Sequence, residues 1–272
     1  MPNYLPFLRL HLDFDEQSGA IVDKVGGLSF AEQLGVPADP DGIIGTARSF
    51  PNGTIGVNSD GFARTCLLNE PFDLTQQKVA KGVVMGWYRA DSAAGNHQVF
   101  MEQTGNTEGE KAWAWDAVGN VAAKPGALYL FRDNAGGDWD WAFQVPEGGM
   151  DVAFPTGVWV FEGFTWSIPD DRTSGWLYTP SSGKYWESYV GAAAFGAPFN
   201  YTNRGITWIG ANNAAGSVGT SGMLGDADHI SVLHGIEFTQ DDVEYFWRAG
   251  RARAYPRGFK GETRGGVPFY YS

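Results

Sequence analysis

Cysteine is almost missing: Cys66 is the only one in 272 residues, so no internal disulfide can form and burial must hold the fold. A lone buried thiol is the ordinary reading of such a residue. Charged side chains are also scarce, at 18% of the chain, which excludes the long charged helices of a coiled coil. Basic residues are the minority, 19 Lys and Arg against 31 Asp and Glu, and the net charge is −12 at pH 7. A phosphate backbone would be repelled by that field, so nucleic acid is not an expected partner. Long apolar runs are missing as well. None approaches the roughly 18 residues of a membrane span. The opening stretch, Met1 to Leu12, is broken by Pro2 and Pro6 and lacks the hydrophobic segment of a secretion signal. These absences predict a protein made in the cytoplasm with no membrane partner.

Glycine, proline and aromatic residues dominate what is present. Gly 38 and Pro 14 make up about a fifth of the chain, and 43% is hydrophobic, enough for one large core crossed by many turns. Runs of β-branched and aromatic residues recur between Gly, Asn, Asp and Pro clusters, as in an antiparallel sandwich. They are Leu8 to Phe14, Val79 to Tyr88, Ala127 to Arg132, Val158 to Trp166, Gly205 to Gly210 and His229 to His234. Val158 to Trp166 is apolar on both alternating faces, which predicts cover on both sides. One segment reads as a helix: Thr239 caps it, Asp241 and Asp242 favour its N-terminus, Val243, Phe246 and Trp247 form its stripe, and Gly250 fits its end. Residues 1–252 read as one domain. Residues 253–272 read as a C-terminal extension that docks or assembles through Phe269, Tyr270 and Tyr271.

Three stretches carry a family likeness. Leu10-His11-Leu12-Asp13-Phe14-Asp15-Glu16 leads into a Gly19 turn; Ile44-Gly45-Thr46-Ala47-Arg48-Ser49-Phe50 is followed by Pro71-Phe72-Asp73-Leu74 and Val83-Val84-Met85-Gly86-Trp87-Tyr88; Gly225-Asp226-Ala227-Asp228-His229-Ile230-Ser231-Val232-Leu233 precedes Phe238-Thr239 and the helix. In this order they resemble the laminin-G-like branch of the concanavalin A-like lectin and glucanase jelly rolls. The resemblance spans about residues 8 to 252. It implies an all-β, two-sheet antiparallel jelly-roll sandwich with one short C-terminal helix, in which the first and last strands pair and bring Leu10 beside Val232. Residues 102–155 are longer and richer in Trp than the family pattern, and the tail after Arg251 has no counterpart in it.

The family likeness also implies a structural calcium ion where the opening and closing strands meet, with Asp15 and Asp228 as ligands and Asp13, Asp23 and Asp226 as helpers, since a hard cation takes carboxylate oxygens. Set against it is the plain role of Asp in turns, where the side chain bonds nearby N–H groups. Trp113 with Trp115, and Trp139 with Trp141, are spaced by two, so each pair shares one face of a strand and offers a platform for sugar rings. Asp116, Asp138 and Asp140 beside them could accept from hydroxyls; burial in a large sheet is the competing reading. Retaining glycosidases need two carboxyl groups about 5 Å apart. Glu102, Glu108 and Glu110 are interrupted by Gly105 and Gly109, and Glu237, Asp241 and Glu244 straddle the helix start, so no catalytic residue is assigned. His11, His97, His229 and His234 have no metal-ligand spacing. The glycine-rich stretch 210–225 lacks the ending and following helix of a phosphate loop.

The favoured reading is a non-catalytic structural or recognition module, a phage virion component such as a head-decoration or tail protein. Its expected partners are glycans or neighbouring virion subunits, in a homo-oligomer or larger assembly. The alternative is a carbohydrate-active enzyme or its accessory carbohydrate-binding domain.

Overall fold

The computed structural model describes residues 4–27, 29–32, 37–50, 57–58, 81–91, 97–104, 111–118, 127–133, 139–145, 155–167, 169–180, 183–190, 207–209, 211–214, 217–222, 225–251, 261–264 and 267–270. For the described residues within 31–32, 57–58, 97–145, 207–208, 211–222, 250–251 and 261–270, and for residue 189, the backbone alone is described. A 3-10 turn, Leu5–Phe7, leads into β1 (Leu8–Leu12), β2 (Ile21–Val22), β3 (Ser29–Glu32), β4 (Ala38–Asp39), β5 (Ala47–Phe50), β6 (Val57–Asn58) and β7 (Lys81–Ala90). There follow β8 (His97–Thr104), β9 (Lys111–Val118), β10 (Ala127–Asp133), β11 (Trp139–Val145), β12 (Val160–Ser167), β13 (Arg172–Thr179) and β14 (Gly183–Val190). The chain continues with β15 (Thr207–Ile209), β16 (Ala211–Ala214), β17 (Ser217–Gly222), β18 (Gly225–His234), helix α1 (Gln240–Arg251), β19 (Gly261–Arg264) and β20 (Val267–Tyr270).

Two antiparallel eight-stranded sheets carry the fold. The first runs β14-β13-β12-β7-β18-β5-β4, with β1 also on β18; the second runs β11-β10-β9-β8-β15-β6-β3-β2. Strands β10 and β11 of the second lie close to β13 and β14 of the first. Leu10 pairs with Val232 and Leu12 with Ile230, so the opening and closing strands are neighbours, as the family likeness implied. The chain is an all-β sandwich with one short helix after its closing strand. In the tail, β19 and β20 pair as a hairpin.

The first sheet is covered on both faces, which explains why its sequence does not simply alternate. On the helix side, Val83, Met85 and Trp87 of β7 join Phe161, Trp176 and Tyr178, and α1 closes over them with Val243, Phe246 and Trp247. Trp87 and Trp247 stack with centroids 5.3 Å apart. On the other side Val84, Tyr88, Val160, Phe164 and Leu177 are buried too. The helix starts where its cap predicts. Thr239 Oγ1 accepts the Asp242 N–H at 3.3 Å, and Asp242 Oδ2 accepts the Thr239 N–H at 2.8 Å, a reciprocal capping pair. Tyr4 donates to the other Asp242 oxygen at 2.7 Å, tying the N-terminal segment to the helix.

Strand boundaries differ from the pattern reading at several strands, two of them beside Trp159 and Asp226. β12 begins at Val160 rather than Val158, leaving Trp159 at the sheet's end, and β18 reaches back to Gly225. The second difference arises because Asp226 and Asp228 are buried inside the strand, each with polar partners that make burial tolerable. Between Asp228 and Ser231 the register shifts, and the intervening His229 has φ of 47°, a bulge that bends the strand.

Candidate functional site

Arg89 breaks the apolar run near the end of β7, and its register partner on β18 is Asp226. Arg89 Nε donates to Asp226 Oδ2 at 2.8 Å, Nη2 donates to Asp39 Oδ2, and Nη1 reaches the Asp41 carbonyl at 3.4 Å. The same carbonyl accepts Trp159 Nε1–H at 3.2 Å, and the guanidinium carbon sits 5.0 Å from the Trp159 ring centre. Against these groups lies a cavity of about 450 Å³, lined by Pro40, Asp41, Gly42, Ile43, Ile44, Gly45, Arg89 and Trp159. Its size falls in the range of small-molecule sites, roughly 300–1,000 Å³.

The turn that lines this cavity is held by carboxylates. Asp39 accepts the Asp41 N–H at 2.9 Å. Asp228 Oδ2 accepts the N–H groups of Ile43 and Ile44 at 2.9 and 3.2 Å, and Asp15 Oδ1 accepts that of Thr46 at 2.9 Å. Glycine is needed twice. Gly45 has φ of 76°, and a Cβ there would overlap the Asp15 carboxylate; a Cβ on Gly42 would press on the Gly45 carbonyl. These bonds and glycines specify one conformation of the turn.

Burial lifts the Asp228 carboxyl well above the usual carboxylate range, against the pull of the Ile44 and Ile43 N–H bonds. Burial also raises Asp226, with Arg89 opposing the rise. For Arg89 burial works against the charge, but Asp226, Asp39 and Asp41 outweigh it and hold the guanidinium firmly protonated.

Asp15 and Asp228, expected together, do converge on this one turn, and Asp15 is close enough to disfavour the Asp228 charge. Their helpers point elsewhere. Asp13 pairs with Lys24 at 3.2 Å, Asp23 accepts the N–H groups of His11, Val25 and Gly26, and Asp226 holds Arg89. Calcium takes six to eight oxygens, and among the described residues no group of three or more His, Cys, Asp or Glu could hold a metal. The bonded oxygens of Asp15 and Asp228 anchor the turn, while Asp228 Oδ1 is buried with no hydrogen-bond partner among the described residues.

The strands of the four tryptophans are described, but the side chains of Trp113, Trp115, Trp139 and Trp141 lie outside the described part. The ladder pairs Trp113 and Trp141 with Arg132 from either side, Trp115 with Leu130, and, past a register shift, Trp139 with Asp133. Positions 113 and 141 thus share one row, a juxtaposition that spacing alone could not supply. Cys66 and the His97 side chain lie outside the described part. His11 Nδ1 is 2.8 Å from Ser231 Oγ, and His229 Nε2 is 3.3 Å from the Ile44 carbonyl, so both are hydrogen-bonded within the sheet. Sequence reasoning missed Arg89 and Trp159; the available signals were a lone cation in an apolar strand and the turn Asp39-Pro40-Asp41-Gly42.

No family model and no curated protein matches the chain. Solved structures do. Domain 4 of AbnA, a GH43 extracellular arabinanase from Geobacillus stearothermophilus, in complex with arabinotriose, has a TM-score of 0.54 at 14% identity, covering 87% of this chain and 96% of that one. The CBM40 of Ruminococcus gnavus IT-sialidase bound to α2,3 sialyllactose has a TM-score of 0.50 at 14% identity, over 72% and 94%. A Trypanosoma rangeli sialidase gives 0.55 at 10% identity over 92% of this chain, which spans 33% of that one. With these structures the chain shares the β-sandwich fold. Among the described residues, no helix is long and apolar enough to cross a membrane.

Proposed function

We propose that this chain is a non-catalytic carbohydrate-binding sandwich module whose glycan site is the Arg89–Trp159 pocket. The observation that carries the reading is the cavity itself: an indole, a guanidinium and a backbone turn converge on about 450 Å³, a mostly polar lining with one aromatic ring, which offers hydroxyls hydrogen-bond partners and a sugar face a ring to pack on. The solved structures similar to this chain include one with arabinotriose and one with sialyllactose bound, which supports the carbohydrate-binding alternative over the virion component. The carboxylates nearest Arg89 support binding over turnover. Asp39 and Asp226 are spent on Arg89, and a glycosidase requires an unspent acid and a partner carboxylate.

The test is calorimetric titration with a panel of oligosaccharides, alongside product analysis. At least one glycan is expected to bind and to be recovered intact, and Trp159→Ala is expected to weaken it tenfold or more with its melting midpoint little changed. Binding indifferent to Trp159→Ala, or cleavage of the bound glycan, would overturn the proposal.

A further inference from the structure

Resting on the carbohydrate reading, the pocket's charge layout goes further and selects among sugars. Arg89 is the cation of the cavity wall, yet it faces Asp226, Asp39 and Asp41, all near enough to act on its charge. One positive group against three acidic ones, Asp41 in the lining and Asp39 and Asp226 behind Arg89, leaves the surroundings of the cavity negative, in a chain whose net charge is already −12. Two of those acids occupy the guanidinium directly. A carboxylate-bearing sugar would have to displace one of them, and Asp226 is almost fully buried, so removing its counter-charge would strand it.

Hydroxyls face no such barrier. Among the described residues, three of the guanidinium's N–H groups are engaged, to Asp226, Asp39 and the Asp41 carbonyl, out of the five that an arginine carries. The remaining donors suit neutral oxygen acceptors. Asp41 is exposed at the rim, and its carboxylate can accept from a second hydroxyl. We infer that the pocket takes uncharged glycans, reading adjacent hydroxyls between Arg89 and Asp41, and that the Asp39–Arg89–Asp226 triad excludes acidic sugars such as sialosides and uronides.

The decisive experiment titrates the intact chain at low ionic strength with matched probes: arabinotriose, xylotriose and maltotriose as neutral ligands, trigalacturonate and sialyllactose as acidic ones. The best neutral probe is expected to bind at least tenfold more tightly than either acidic probe. Asp39→Asn keeps an acceptor for the Asp41 N–H but removes one charge from Arg89, and it is expected to shift the neutral-to-acidic affinity ratio tenfold toward the acidic probes. Acidic probes that bind as well as or better than neutral ones, with sensitivity to Trp159→Ala, overturn the selectivity and leave the carbohydrate reading standing. An unchanged ratio in Asp39→Asn overturns the role of the triad. Failure of every probe to bind removes the carbohydrate reading and this inference together.

Discussion

The helix side of the first sheet and its β5–β18 end are held by different forces. Under the helix, rings pack on rings: Trp87 on Trp247, and Phe238 on Phe246 at 5.2 Å and 18°. At the other end, carboxylates hold backbone N–H groups and an arginine, and two bulky residues, Phe14 and His229, sit at φ of 57° and 47° beside Asp15 and Asp228. Such left-handed conformations cost on the order of 1–3 kcal/mol each. The difference teaches that the apolar side supplies stability while the polar end is shaped, against strain, to set one turn in place.

Removing an indole from the apolar side gives the largest effect. Trp247 is 1% exposed, and Trp247→Ala is expected to lower stability by about 3–5 kcal/mol, seen as a drop in the denaturant midpoint with the slope preserved. Glycan affinity of the protein that remains folded should be unchanged, since Trp247 does not line the pocket. A joint loss of affinity in folded protein would mean that the two regions are not separable.

At the polar end the sharper variant is Asp228→Ala. It leaves the N–H groups of Ile43 and Ile44 without their acceptor, at about 1–3 kcal/mol for each unpaired buried group. It is expected to destabilise by about 2–4 kcal/mol and to abolish glycan binding as the turn loosens. Asp228→Asn keeps an amide oxygen for the two N–H groups, so thermal melts and titrations should show it recovering most of both. If Asp228→Asn is as damaging as Asp228→Ala, the carboxylate has a use beyond holding the turn.

Legibility in the sequence follows the same division. The apolar half could be read because burial imposes periodicity: the Val83 to Tyr88 strand, the Thr239 cap and the Val243, Phe246, Trp247 stripe each have a local signal. Even the pairing of Leu10 with Val232 followed from a likeness that spans the chain. The polar half could be read only in part. Asp15 and Asp228 were singled out and do meet, but their use as anchors of Ile43, Ile44 and Thr46 depends on contacts across 31 to 185 positions, which no local pattern encodes. Arg89 and Trp159 escaped for the same reason, since an arginine ending one strand and a tryptophan preceding another become a pocket only through the sheet order.

The smallest expected effect, and the one that isolates a single proton, concerns Glu162. It lies on β12 between Gly86 and Leu177, fully buried, with neither carboxyl oxygen hydrogen-bonded among the described residues. Burial raises its pKa well above that of an exposed Glu, so the folded chain holds a proton that the unfolded chain releases. Stability from this group is complete below the unfolded value near 4.3 and falls as pH rises through the folded value, by about 1.4 kcal/mol per pH unit. Asp228 acts with the same sign. Burial moves His11 and His234 the opposite way, His234 to about 3, so they raise stability with pH only up to the unfolded histidine value near 6.5. Above pH 6.5 the histidines are silent and the carboxyls remain. Glu162→Gln is therefore expected to match the parent near pH 5 and to exceed its stability by about 1 kcal/mol or more at pH 7 and above, with a shallower fall between pH 6.5 and 8. Parallel stability curves for the two chains across that interval would mean that Glu162 is ionised in the folded state, and that the interior of the sandwich is polar enough to hold its charge.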